Sequence, residues 1–212
     1  MRKDLLDAAV RFIDAHGEPS LTLRAVAREA GVAAPSVYRH FANLDALTAA
    51  VADSCFAALS TDIAAARDRH ADVVDQLLAG CSAYLSYAER FPQRYALLFR
   101  PGPSVATPTG TVDSIAAFRL LVDAIKNCVD AGRSEAEDAT LAATAIWAGL
   151  DGYANLRAHR PRFPWPPSPT FLARLVLDLA RIPPHTQTPA AASDDQSSAP
   201  DDQLSAPSRS QQ

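Results

Sequence analysis

The stretch TLRAVAREAGVAAPSVYRHFANLDAL, residues 22–47, decides the fold. Leu23, Val26, Ala27 and Ala30 recur at spacings of three and four, which predicts one apolar stripe on a helix about two turns long. Gly31 follows at once, where a glycine accepts the left-handed backbone that ends a helix and redirects the chain. Pro35 falls in the first turn of a second helix, a position where the missing N–H costs nothing. From that helix Val37 and Phe41 are spaced to face inward, while Ser36, Tyr38, Arg39 and His40 point outward. A short helix whose exposed side carries hydroxyl, guanidinium and imidazole groups suits insertion into a DNA major groove. A purely structural reading of the same residues has Tyr38 and Phe41 merely packing in a small helical core.

The flanks extend the helical pattern. Upstream, Leu5, Ala9, Phe12 and Ile13 form the buried stripe of a helix from about Lys3 to His16, stopped by Gly17. Downstream, Asn43 is a good N-cap with Asp45 in the first turn, and Leu47, Val51, Cys55, Leu59 and Ile63 follow at spacings of four. A fifth helix starts at Asp72, with Val73, Leu77, Cys81, Tyr84, Leu85 and Ala88 on its apolar face. Pro92 opens a sixth and Pro101 closes it. PGPSVATPTG, 101–110, is a loop by composition. A seventh helix covers about Val112 to Ala131, with Gly132 just beyond. Ser134 and Glu137 have capping-box spacing for an eighth, running to about His159. After the proline-stiffened HRPRFPWPPSP, Ser168 is the expected cap of a ninth helix, with Pro169 at its first position.

Residues from about Leu5 to Val51 resemble the DNA-binding domain of the TetR family of bacterial transcription regulators. The likeness rests on LLDAAVRFIDAHG, LTLRAVAREAGVAAPSVYRHF and a long helix from Asn43, in one order and spacing. Residues 73–165 resemble the regulatory domain of a subfamily marked by Trp, small residues and then His-Gly, through AIWAGLDGYANL (145–156) and YLSYAERFPQRYALLFRP (84–101). Asp151 stands where that subfamily commonly has His.

The resemblance implies an all-α protein: a three-helix helix-turn-helix domain at 1–50, then a helical ligand-binding and dimerisation domain of about five to six helices at 51–182. The tail 183–212 is poor in large apolar residues and reads as disordered, as an inert solvated segment rather than an acidic interaction tail.

The resemblance also implies a homodimer joined through the eighth and ninth helices, and the leucine-rich ninth helix needs such a partner or its own core. It implies a repressor on a near-palindromic operator in double-stranded DNA, released by an unknown small-molecule effector. Thr22, Tyr38 and His40 match phosphate-holding positions, whereas Arg24 and Ser36 match positions that reach base edges. Arg39 suits either role, and Ala34 and Pro35 complete the surface. Arg24 is the best candidate for guanine, since a guanidinium bonds O6 and N7 together. Its bland alternative is a surface arginine in an intrahelical pair with Glu29 or a neighbour, and His40's is a structural histidine. Leu44 stands where many relatives have Lys near a phosphate, which predicts a shallower salt dependence.

An effector pocket between the fourth and eighth helices is implied as well. Candidates to line it are Tyr84, Tyr87, Tyr95, Phe99 and Phe118, with Trp147 and Asp151 beside them. Each aromatic alone reads more readily as core, and Trp147 with Gly149 and Gly152 reads as helix packing before ligand contact. The pocket is expected to be mainly apolar with few polar anchors.

Composition bounds the rest. The 48% apolar content suffices for a core, and the net charge of −4 argues against a nonspecific nucleic-acid binder. Residues 1–50 balance six cations against six anions, while the tail carries four aspartates against Arg209. Cys55, Cys81 and Cys128 read as buried free thiols of a reducing cytoplasm. No uninterrupted apolar run approaches ~18 residues, so no membrane span is expected. The N-terminus is too acidic for a signal peptide. No metal, cofactor or nucleophile constellation suggests an enzyme, and Arg67-Asp68-Arg69-His70 reads as a solvated cluster at a helix end. The competing non-enzymatic reading is a TetR-like ligand-binding or interaction module that has lost specific DNA binding.

Overall fold

The computed structural model describes residues 1–99 and 112–184, without the side chains of 112–116. Among the described residues the regular structure is helical throughout: α1 Arg2–His16, α2 Leu23–Glu29, α3 Ala34–Tyr38, α4 Leu44–Arg67, α5 Val73–Arg90, α6 Pro92–Leu98, α7 Val112–Asp130, α8 Ala139–His159 and α9 Ser168–Leu179, with a 3-10 turn at Glu18–Ser20. The expected loop at 101–110, the stop at Pro101 and nearly all of the tail lie outside the described residues.

Local chemistry accounts for the first four helices. Thr22 Oγ1 accepts the Ala25 N–H at 3.0 Å and caps α2. At its other end Gly31 has φ +68°. Its N–H bonds the Arg28 carbonyl while the Val32 N–H reaches back to Ala27, so two otherwise orphaned carbonyls are satisfied. The chain turns there and enters α3 with Pro35 in the first turn. Val37 is fully buried and Phe41 nearly so, in one hydrophobic core with buried residues of α1, α2 and α4 that include Leu5, Ala9, Ile13, Val26, Leu47 and Val51. Asn43 Oδ1 caps α4 by accepting from the Ala46 N–H at 2.8 Å.

The 24-residue α4 is shared by the helix-turn-helix and the larger bundle. It packs on α1 at one end and on α5, α6 and α7 further along. By length and composition it is apolar enough to cross a membrane, which a count of uninterrupted apolar runs misses. Its buried residues, Leu47, Val51, Cys55, Phe56 and Leu59, are used inside the fold. Asp14 of α1 and Arg94 of α6 form a two-pronged ion pair, at 2.8 Å through Nε and 2.5 Å through Nη2. That pair ties the first helix to the element that precedes Phe99.

Two expected caps are corrected. α8 is capped by Asp138, whose Oδ1 accepts from the Thr140 and Leu141 N–H groups at 2.8 and 2.9 Å. Ser134 is instead buried, donating to the Ala180 carbonyl at 2.6 Å, and Glu137 pairs with Arg181. Tertiary contacts with the end of α9 thus displace the capping box. Likewise Ser168 is the first residue of α9 and caps nothing; its hydroxyl meets Arg157 at 2.6 Å and Glu89 at 3.2 Å.

Candidate functional site

Two surfaces are candidates for the functional chemistry, one on α2 and α3 and one inside the bundle. On the first, Arg24, Pro35, Tyr38, Arg39 and His40 are exposed, and Ala34 and Ser36 are half-buried. Glu29 pairs with Arg11 at 3.2 Å. The intrahelical partner considered for Arg24 is therefore engaged elsewhere, and Arg24 has no carboxylate partner among the described residues. Arg39 Nη2 donates to Ser36 Oγ at 3.1 Å, so those two side chains act as a unit. Tyr38 is 54% exposed, although tyrosines usually bury their rings. Thr22 is exposed but its hydroxyl already caps α2, leaving the O–H proton for an outside acceptor. Behind this face Arg2 lies 5.1 Å from the Phe41 ring centroid, a cation–π contact that holds the start of α1 against the end of α3. The exposed Arg24 and Arg39 guanidinium groups, with the Tyr38 hydroxyl and the His40 ring, suit a phosphate-lined groove.

Inside the bundle, α4, α5, α7 and α8 with Phe99 line a partly open cavity of about 260 Å³. Tyr84, Phe99, Phe118 and Trp147 line it, as the sequence reading proposed for an aromatic pocket. Tyr87, Tyr95 and Asp151 do not. Tyr87 is buried and donates to the Cys55 carbonyl at 3.2 Å, bracing α5 on α4. The Tyr95 hydroxyl donates to Asp151 at 2.5 Å and lies 2.9 Å from the Tyr84 hydroxyl. Asn155 donates to the same Asp151 oxygen. Asp151 thus fixes Tyr95, which fixes Tyr84, the member of the chain that reaches the cavity. Burial pushes the phenols of Tyr84 and Tyr95 upward, so both stay protonated.

Trp147 has both characters that the sequence offered. It contacts Phe99 and Phe118, with centroids 6.3 and 5.9 Å away, and it is 40% exposed at the cavity wall. The glycine reading holds at one of its two positions. A Cβ at Gly149 would sit 2.7 Å from Leu175 of α9, whereas one at Gly152 meets nothing. The three cysteines are buried free thiols, pushed up by desolvation to about 11 for Cys55, 12 for Cys81 and 11 for Cys128.

Arg67 is the functional candidate that sequence reasoning missed. Of the expected solvated cluster, Asp68, Arg69 and His70 are exposed, but Arg67 turns into the cavity wall. Its signal in the sequence is only its register, one turn beyond Leu59 and Ile63 on the same face of α4.

A helix-turn-helix with an exposed cationic second helix, joined by a shared helix to a hollow bundle, is the architecture of a DNA-binding transcriptional regulator. Residues 5–51 match the family of bacterial regulatory proteins named for tetR, and residues 77–180 match the tetracyclin repressor-like C-terminal domain. An uncharacterized HTH-type transcriptional regulator of Mycobacterium tuberculosis (strain ATCC 25618 / H37Rv), Rv0681, is 30% identical over 159 residues, covering 73% of this chain and 69% of the relative. The chain belongs to the TetR family of bacterial transcriptional regulators. A protein of unknown function from Rhodococcus sp. RHA1 has a similar structure, with TM-score 0.73 and 26% identity, covering 85% of this chain and 93% of that one. FadR of Bacillus subtilis, solved in complex with stearoyl-CoA, shares the fold at TM-score 0.68 and 14% identity, over 85% and 98% of the two chains.

Proposed function

We propose that this regulator is a cytoplasmic homodimeric repressor that binds a near-palindromic operator and leaves it when a small, mainly apolar effector enters the bundle cavity. The observation that carries the reading is the face of Arg24, Ser36, Tyr38, Arg39 and His40, set opposite a packed Val37 and Phe41. In this reading Thr22, Tyr38 and His40 hold phosphates, while Arg24 reads a base edge. Ala34 and Pro35 let the start of α3 approach thymine methyls closely. The working division is a DNA-binding part at 1–50, a regulatory part at 51–182 and a tail from 183. The Trp147–Gly152 pattern supports placing the regulatory part in the Trp-His-Gly branch, with Asp151 as its own departure.

A second copy of the chain is the partner that suits α8 and α9. Leu141, Ala148, Gly152 and Leu156 fall on one exposed side of α8, and Leu179 of α9 is also exposed. An apolar stripe of that kind gains from burial against its own image across a two-fold axis. The dimer presents two α3 helices to successive major grooves roughly 34–36 Å apart. The effector signal runs along α4, whose Phe56, Leu59 and Ile63 line the cavity while Leu47 and Val51 sit in the core of the DNA-binding part.

Selection of bound fragments from random DNA tests this. Two inverted half-sites with centres about 10 base pairs apart, or a multiple of that, are expected. Enrichment of a single unrepeated site would contradict the dimer geometry, and no enrichment from a folded dimer would favour a module that has lost DNA binding.

A further inference from the structure

Among the described residues the cavity has one charged wall residue, Arg67. Arg67 is the last residue of α4. Its Nη1 donates to the Leu120 carbonyl of α7 at 3.3 Å, and its Nε is buried with no hydrogen-bond partner among the described residues. The ion pairs of the described residues leave Arg67 out. Asp62 pairs with Arg90 and Asp72 with Arg133. Opposite the arginine stem stands Gly80 of α5, where a Cβ would come within 3.3 Å of the Arg67 Cγ and Cδ. The absence of a side chain at 80 is what admits the stem to the wall. The remaining surroundings, Leu77, Cys81, Leu120 and Ala124, offer no countercharge.

A buried, unsatisfied donor on a cation is rare in folded proteins because it forfeits hydration without replacement. A water molecule in the cavity would leave the charge unneutralised beside apolar walls. A carboxylate supplies an acceptor and the opposite charge together, and it bonds a guanidinium more strongly than a neutral acceptor does. At the other end of the cavity, among the described residues, the Tyr84 hydroxyl is tied into the Tyr95–Asp151 chain.

We propose that the effector is an amphipathic monoanion, a carboxylate head held by Arg67 and an apolar tail lying along α4 between Tyr84, Phe118 and Trp147. The inference rests on the reading of the cavity as the effector site. The tail length follows from the space. Phe56 to Arg67 spans about 16 Å of helix at ~1.5 Å per residue. A medium-length alkyl chain fits within that span. Because Arg67 ends the helix whose other end enters the DNA-binding part, the head pulls directly on the element that sets the spacing of the two α3 helices.

Decanoate and decan-1-ol, equal in chain length and different in charge, are the probes. In the full chain carrying Trp165→Phe, Trp147 is the remaining tryptophan and reports occupancy by its fluorescence. Decanoate is expected to bind at least tenfold more tightly than decanol, and Arg67→Gln to weaken decanoate by between about 10- and 100-fold while leaving decanol unchanged. Arg67→Lys should recover part of the loss, which a merely structural arginine would not produce. If Arg67→Gln does not fold, the comparison of the two probes on the Arg67 protein and on Arg67→Lys decides alone. Equal affinity for decanoate and decanol would overturn the anionic head and leave the apolar effector site standing. Binding of neither probe, with DNA binding intact, would overturn both.

Discussion

Replacing Arg24 by alanine tests the contact map at its most discriminating residue. Arg24 sits on the exposed side of α2, and its possible partner Glu29 is held by Arg11 at 3.2 Å, so the substitution breaks no internal ion pair. Fold stability should therefore change by less than about 0.5 kcal/mol, as for surface positions generally. A two-pronged arginine–guanine contact discriminates by about 1–3 kcal/mol, and a dimer makes two of them. The preference of the dimer for its operator over scrambled DNA should then fall by roughly 2–6 kcal/mol, about 30-fold at the lower bound. Fluorescence anisotropy on both DNAs at four salt concentrations separates the possibilities. A base contact lowers operator affinity much more than scrambled affinity. A phosphate contact lowers both together and makes the salt slope shallower by about 1.8 for two lost ionic contacts. The reasoning is refuted if Arg24→Ala leaves operator affinity, preference and slope all unchanged.

Tyr38→Phe should weaken binding about equally on operator and scrambled DNA, because the exposed hydroxyl is assigned to a phosphate; anisotropy on the two DNAs checks it. Gly149→Ala should destabilise the protein by about 1–3 kcal/mol in urea melts, since its Cβ would press on Leu175. At Gly152 an alanine meets nothing within the chain, so it should stabilise a monomer by roughly 0.5–1 kcal/mol but weaken the dimer in sedimentation if that face is the interface. Burial holds the Cys81 thiol proton from the ordinary 9.0 up to about 12. Its contribution to stability is thus full below pH 9 and is lost as the pH rises toward 12, because the unfolded chain releases the proton first. Urea melts should show stability declining across that window, with Cys81→Ala flattening the decline by up to ~1.4 kcal/mol per pH unit.

The DNA-binding part was legible because its rules are local. Thr22, Gly31, Pro35 and Asn43 each act within a few residues of themselves, and the spacing of Val26, Val37 and Phe41 fixes which side is buried. The caps of α8 and α9 were misread for the opposite reason. Ser134 and Ser168 have the right spacing for capping, yet partners 46 residues away in one case and 79 in the other claim their hydroxyls. The cavity was half legible. Aromatic residues could be placed on helices, but only packing separates Tyr84, which reaches the cavity, from Tyr87, which spends its hydroxyl on Cys55. Arg67 was hidden by its neighbours, since its inward course depends on Gly80 and on a carbonyl 53 residues distant.

The central claim is specific DNA binding by the α2–α3 face, and a gel shift tests it most directly. Purified full-length protein is mixed with the DNA upstream of its own gene at two salt concentrations, with excess unrelated DNA, and with Arg24→Ala alongside. The account predicts a discrete shifted band that survives competitor, weakens as salt rises and is lost first in the Arg24 variant. A folded dimer that shifts neither this DNA nor any genomic fragment would contradict it.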